Sequence, residues 1–522
     1  MRPTRWLSGA LFALASCGSN APPAPPEDAG GLDGTRPTLD AARVDAGPRP
    51  DGASPGDDAT MPDVDAGVLP DACPAIVVTH GMSVDGFSSD VYTWRDSRCR
   101  PRSAAMVRND AADPAGHSGG YLRRYTYELA DGTTRTCDGS STSHPGFGYT
   151  VTHFGMASAS SSSRDTRGAY RTVLEGAHHA IHEYHWTGVR IDGQDVAITI
   201  RWMFATGRDH PLWAITYDLS GVPADSVNAD TRSPYGDLQW DGGGGVEVDG
   251  VGWGDRYRFR SLDSPVDLMS GWDYSRPNTI PHVIEWSVAA DAEMGLVQTQ
   301  TYLQHDGGGY WFYSAWGTTD ADGPMPEDWN WTYQLNQYEI PFLLTSKRMA
   351  WGSNFGAVGQ RMYNAYGDDR VLSGYPHQSY AVFVVLDRHA VAPVDTQVGW
   401  VEAVQSVALT ATTGTVVTTG PAGVGRSDTA TYDPAGWDPV HAVWSLRAAT
   451  NRAVLSLDAG AATLARPTLH VADWTATSQT VTLDGRALVA DREYFATNAA
   501  GELWISLASD LTGSHAVDIA AP

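Results

Sequence analysis

Glu327, Asp328 and Glu339 lie among Trp329, Trp331 and Tyr338, and Lys347, Arg348 and Trp351 follow closely. Glycosidic bond cleavage needs two carboxyl groups across the scissile bond, one protonated and one ionised. Tryptophan and tyrosine faces stack on the apolar side of a sugar ring and exclude water, which raises the pKa of an adjacent acid. Glu327 or Asp328 can serve as one carboxyl group and Glu339 as the other. Upstream, Asp230-Thr231-Arg232-Ser233-Pro234-Tyr235-Gly236-Asp237 and Trp253-Gly254-Asp255-Arg256 each set Asp and Arg beside an aromatic residue. Asp237 and Asp255 are alternative members of the pair, and Arg232 can clamp a carboxylate or hydroxyls. Lys347 is the only lysine in the chain. Trp329, Trp331, Tyr338, Trp351, Arg232, Lys347 and Arg348 form the expected substrate-binding set. Each grouping has a plainer reading: the aromatics as β-sandwich core, the charged residues as loop salt bridges.

Two further clusters carry weaker chemistry. In His178-His179-Ala180-Ile181-His182-Glu183-Tyr184-His185, a strand would put His179, Glu183 and His185 on one face and His178, His182 and Tyr184 on the other. A His/Tyr acid–base pair of the polysaccharide-lyase kind is one use and strand packing the other. No metal site is expected, because no ligand spacing such as His-Glu-x-x-His is present. Asp320-Ala321-Asp322-Gly323 resembles the start of a calcium loop without its later ligands, so a turn is expected and calcium is the only cofactor left open. The chain has no dinucleotide signature.

The elements that must position these residues read as strands. Ala75–Thr79, Tyr121–Leu129, Thr133–Cys137, His178–Trp186, Val196–Phe204 and Leu212–Leu219 are expected strands, with turns at Asp131-Gly132 and Asp192-Gly193. Val246–Val251, Arg256–Phe259, Val283–Val288, Gly295–Leu303, Tyr310–Trp316 and Tyr380–Asp387 continue the series. Residues 139–169, rich in Ser and Gly, read as loop; Gly359–Tyr366 reads as the single short helix. Past residue 395 short Thr/Val/Ala strands suit an immunoglobulin-like module, with Ala487–Val489, Glu493–Phe495 and Leu503–Ile505 among them and a turn at Asp484-Gly485. The expected fold is all-β: a large sandwich over 73–394 and a small one over 395–522.

The chain has 61 acidic against 35 basic residues, a net charge of −26, which argues against nucleic acid as a partner and favours a neutral glycan over a uronate polymer. Residues 1–17 read as a secretory signal: Arg2 and Arg5, then an apolar run too short to span a bilayer. Residues 18–72 are Ala, Pro, Asp and Gly without an aromatic residue, and are expected to be a disordered spacer of roughly 40 Å. Cys73, Cys99 and Cys137 in an exported protein suggest one disulfide and one spare thiol, with Cys73–Cys99 and Cys99–Cys137 both open.

Leu14-Ala15-Ser16-Cys17 resembles the lipobox of bacterial lipoproteins, which implies cleavage before Cys17, its lipidation, and membrane contact through that anchor alone. Gly18 and Ser19 follow rather than Asp, so the outer membrane or cell surface is the expected address. A large β-sandwich followed by an immunoglobulin-like module resembles, in architecture, the galactose-mutarotase-like super-sandwich carbohydrate-active proteins. These readings converge on a surface-anchored lipoprotein that acts on a polysaccharide or oligosaccharide, foremost as a glycoside hydrolase. The alternatives are a polysaccharide lyase using His, Tyr, Arg and Lys, or a non-catalytic glycan-binding or envelope-structural lipoprotein.

Overall fold

Alternating apolar residues build strand after strand here, and almost all regular structure in the computed structural model is β. The structure describes residues 72–108, 119–139, 146–154, 158–162, 168–191, 193–218, 220–223, 228–240, 250–254, 280, 282–299, 318–320, 323–324, 350–352, 356–359, 377–418 and 434–522. All fall within the unit Asp65–Pro522. The strands are β1 (Val77–Val84), β2 (Phe87–Arg95), β3 (Pro101–Val107), β4 (Tyr121–Glu128), β5 (Thr134–Asp138), β6 (Phe147–Phe154) and β7 (Ser158–Ser161). There follow β8 (Gly168–Glu175), β9 (His179–Ile191), β10 (Gln194–Ala205), β11 (Leu212–Asp218), β12 (Asn228–Asp237), β13 (Gln239–Trp240) and β14 (Gly250–Gly254). The sandwich continues with β15 (His282–Ser287), β16 (Ala292–Gln298), β17 (Thr318–Asp320), β18 (Gly323–Pro324), β19 (Ala350–Gly352), β20 (Gly356–Gly359) and β21 (His377–Asp387).

One sheet runs β1-β2-β3-β4-β6-β12-β19, and the other runs β14-β15-β16-β21-β11-β10-β9-β8. Between them lies a core that includes Trp94, Trp186, Trp202, Trp213 and Trp240, all at most 1% exposed. The second sheet is apolar on both faces. In β21, Val382, Val384 and Leu386 enter that core, while Ala381, Phe383 and Val385 join a second core on the far side. Successive residues of a strand point to opposite faces, so such a continuous apolar run marks a sheet covered twice. Buried Arg102 of β3 donates to Tyr125 Oη on neighbouring β4 and, across to the other sheet, to the Leu386 carbonyl oxygen, both at 3.1 Å, and pairs with Asp387.

The second cover is helix α1 (Pro393–Gln405) and a small two-sheet module. Val394, Val398, Val401 and Val404 of α1 recur on one face and are buried; Pro393 opens the helix, and buried Glu293 accepts the Val394 N–H at 3.0 Å. The module contains β22 (Ala408–Thr413), β23 (Thr415–Val416), β24 (Trp437–Asp438), β25 (Val443–Arg447), β26 (Arg452–Leu464) and β27 (Thr468–Ala472). It ends with β28 (Thr480–Leu483), β29 (Arg486–Ala487), β30 (Tyr494–Ala499), β31 (Glu502–Leu507) and β32 (Leu511–Ala520). Its sheets run β22-β26-β32-β28-β29 and β23-β25-β27-β31-β30, and their core is continuous with the outer face of the large sandwich.

The all-β expectation, with a large sandwich and a small C-terminal one, therefore holds. Several local expectations do not. Residues 139–169 contain β6 and β7 rather than loop alone, and 230–237 lies in β12, because pairing on both sides outweighs its turn-forming residues. β2 and β3 are strands beyond the expected set; β2 carries buried Ser89 and Asp90 in its interior, which breaks its apolar pattern. Gly359 ends β20 rather than starting a helix; 360–366 lie outside the described residues, as do Arg256–Phe259 and Tyr310–Trp316. The helix that is described, α1, straddles residue 395.

Cys73 and Cys99 form a disulfide, and Cys137 is buried in the core outside that bridge. The bridge ties the entry segment to the turn between β2 and β3, across a sequence separation of 26. Loop-closure entropy for that length amounts to about 3.5 kcal/mol at 25 °C. Cys99→Ser is expected to lower the unfolding free energy by about 3 kcal/mol in chemical denaturation, and a loss under about 1 kcal/mol would contradict a stapling role.

Candidate functional site

Of the expected site residues, Asp237, Arg232 and Trp351 fall on described strands. Glu327, Asp328, Glu339, Asp255, Trp329, Trp331, Tyr338, Lys347 and Arg348 lie outside the described residues, as does Cys17. β12 is flanked by β6 on one side, with Arg232 opposite Val151 and Tyr235 opposite Tyr149. On its other side β20 pairs with its first half and β19 with its second. There Gly236 stands opposite Trp351 and Asp237 opposite Ala350. Two segments distant in sequence thus share one ladder.

The ladder is irregular where the candidates stand. Its register with β6 shifts between Arg232 and Tyr235 and again between Tyr235 and Gly236. Such bulges bend a strand and re-aim its side chains, and they gather near active sites. Gly236 has φ +125°, and a Cβ there would lie 2.1 Å from the Gly146 carbonyl oxygen, so glycine alone fits. Beneath, buried Ser233 bonds to Thr150, and its Oγ lies 3.0 Å from Tyr217 Oη. Tyr217 belongs to the opposite sheet, so this hydroxyl cluster fixes β12 against the core.

An aromatic row leads to the same strand. Ring centroids are 6.5 Å apart for Phe87–Tyr121, 6.1 Å for Tyr121–Tyr149 and 5.5 Å for Tyr149–Tyr235. The row lies on the face of the first sheet away from the main core: Met106 and Leu122 enter that core, while their neighbours Val107 and Tyr121 join the row. Phe87, Tyr121 and Tyr149 are buried, and only Tyr235 is partly exposed. The accessible end of the row is therefore at β12.

The histidine stretch alternates as a strand should. His182 and Tyr184 face the sandwich core, and His179 faces the module, its Nε2 2.9 Å from Ser506 Oγ. Glu183 receives Arg171 at 2.6 Å and Arg201 at 2.7 Å. His178 departs from the expectation: it precedes β9 and turns to the module, with Nε2 3.0 Å from Asp491.

His182 belongs to a network that sequence reasoning missed. Its Nδ1 lies 2.6 Å from Tyr92 Oη, and its ring stacks on Tyr170 at 4.8 Å. The Tyr170 hydroxyl donates to Asp90, which also meets His80 at 2.9 Å; His80 in turn reaches Glu175 at 3.0 Å. Burial pushes His182 down to about 3, so its imidazole is neutral. Burial, then the Asp90 bond, pushes Tyr170 up to about 12. The bond to Asp90 raises His80. A phenol that must abstract a proton needs a lowered pKa, and these shift the other way. The network pins β1 and β2 to β8 and β9. His80 and Asp90 stand ten residues apart on a hairpin, but nothing in that spacing points to Tyr170.

Asp320 ends β17 and Gly323 begins β18 of a two-stranded ribbon, in keeping with a turn. Among the described residues no group of three or more His, Cys, Asp or Glu could hold a metal ion. No described helix is long and apolar enough to cross a membrane. No protein-family model matches the sequence, and no curated protein is similar enough to it to count as a relative.

Proposed function

We propose that the protein is a surface-anchored, carbohydrate-active lipoprotein that hydrolyses a neutral polysaccharide at the β12–β19 ladder. Asp237 is one carboxyl group, and Glu327, Asp328 or Glu339 is its partner, with Asp255 as the alternative. Trp351 supplies the ring platform, joined by Trp329, Trp331 and Tyr338, while Arg232, Lys347 and Arg348 hold hydroxyls. The observation that carries this reading is the register that sets Tyr235-Gly236-Asp237 against Ala350-Trp351-Gly352. It sets Asp237 two residues from Tyr235, the open end of the aromatic row, on one bulged strand, with Trp351 one rung away on the partner strand.

The lyase reading is less well supported, because His182 is buried and held neutral and the Tyr170 phenol is shifted away from base chemistry. The test is incubation of the purified protein with neutral and acidic glycans, reading reducing ends and the absorbance of unsaturated products. Reducing ends from a neutral glycan support hydrolysis; unsaturated products, or silence in both, sink it.

The anchor is the second part of the proposal. Lipidation of Cys17 would hold the folded unit at the outer membrane or cell surface through the 18–72 spacer. Cys17→Ser is expected to move the protein from the membrane pellet to the soluble exported fraction. Retention of the variant in the pellet would contradict the anchor.

A further inference from the structure

A cavity of about 510 Å³ opens where the large sandwich, helix α1 and the C-terminal module meet. Its charge is the reverse of the chain's. Arg98, Arg100, Arg208, Arg388 and Arg466 line it, in a protein of net charge −26. Two lining carboxylates, Asp209 and Asp387, oppose those five arginines, which leaves +3 (5 − 2) at the wall. Lining His210 adds nothing, since burial pushes it down to about 4.

The two carboxylates are already engaged. Asp387 pairs with buried Arg102 and accepts the Arg388 N–H at 2.8 Å; Asp209 lies beside Arg102 and accepts the Ser97 N–H at 2.8 Å. Two of the arginines are engaged as well, Arg100 with Asp96 at 3.1 Å and Arg388 with Asp291 at 2.5 Å. Arg208 is different. Its described bond runs from Nη2 to the Ala442 carbonyl oxygen at 2.5 Å, and its guanidinium carbon stands 5.9 Å from the Trp400 ring centroid. Among the described residues neither Arg208 nor Arg466 makes an ion pair. His210 is 8% exposed, and its Nδ1 has no hydrogen-bond partner there.

A half-buried guanidinium without a counter-charge keeps N–H donors in a fork suited to carboxylate, sulfate or phosphate. The volume lies in the range of small-molecule sites, roughly 300–1,000 Å³, and exceeds what a bare inorganic anion fills. We propose that this cavity binds a sugar-sized molecule through its oxyanion group, held by Arg208 and Arg466 with the Nδ1 of His210. The site involves neither β12 nor β19, so it stands apart from the hydrolytic reading. Burial lowers Arg208 only to about 10, so the guanidinium stays charged at neutral pH. The binding wall comes from the sandwich and the module together, so an occupied cavity also holds the two against each other.

The experiment is calorimetric titration of the full-length protein with glucuronate, glucose 6-phosphate and sulfate, against glucose and against chloride at matched ionic strength. Saturable one-site binding of the acidic sugars, with none of glucose, is expected. Arg208→Lys and Arg466→Gln should each weaken it at least tenfold, since lysine lacks the planar fork. Arg466 carries no described bond, so its variant folds normally and keeps the test open even if Arg208→Lys does not. Tighter binding of the acidic sugars than of sulfate supports an anionic sugar as ligand. Equal affinity supports the oxyanion site with a free anion as its occupant. No saturable binding above the chloride control, or binding unchanged in both variants, overturns the proposal and leaves Arg208 as a clamp on the Ala442 carbonyl.

Discussion

Between pH 6.5 and pH 5 the folded unit is expected to lose about 3 kcal/mol of stability from two buried histidines, the slope for each approaching about 1.4 kcal/mol per pH unit. The two are His182 and His210, pushed by burial to about 3 and about 4; burial pushes His179 in the same direction and adds to the loss. In that window the unfolded chain takes up a proton at each histidine while the folded chain stays neutral. The unfolded state then binds more protons, and stability falls as pH falls. His80 has the opposite sign: its folded value is raised by Asp90, so its contribution is present below about 6.5 and is lost as pH rises through the folded value. It is 44% exposed, which makes it the weaker effect. Since domains are stable by about 5–15 kcal/mol, chemical denaturation should show a steep loss by pH 5. His182→Asn should flatten the curve by about 2 kcal/mol over the same interval. A denaturation midpoint unchanged between pH 7 and pH 5 would mean that these histidines are not held neutral.

The second large effect is expected at the β12–β19 ladder. Asp237→Asn keeps the shape of the side chain and removes its charge and proton. Loss of a general acid, base or nucleophilic carboxylate lowers turnover by about 10²–10⁴-fold. Trp351→Ala should instead raise KM, by about tenfold, for the loss of a stacked ring worth roughly 1–2 kcal/mol. The split between the two variants is the informative result. Equal, small effects on KM from both would mean that the ladder binds glycan without cleaving it.

How much of this could be read from residue order is uneven. Apolar patterning makes β9, β10, β11, β15 and β21 legible, alternating through much of β10 and continuous in β11 and β21. β12 was not legible: Asn, Asp, Ser, Pro and Gly signal turns locally, and only pairing with β6, β19 and β20 makes the segment a strand. The valines of α1 recur at helical spacing, but valine and Gly399 are weak helix formers, and packing decides the outcome. Asp237 and Trp351 could be named as candidates from their types, yet the pairing of their strands could not, since spacing along the chain does not report distance in space. Arg208-Asp209-His210 looks like an ordinary polar turn between two apolar strands. Its role emerges only once α1 and the module close over it.

The most direct measurement is product analysis after incubation of the purified protein with a panel of neutral polysaccharides, beside its Asp237→Asn variant. The account predicts new reducing ends from at least one neutral glycan, no unsaturated sugar, and a loss of at least a hundredfold in the variant. Cleavage that the variant retains in full, or products that absorb as unsaturated uronates, would contradict it.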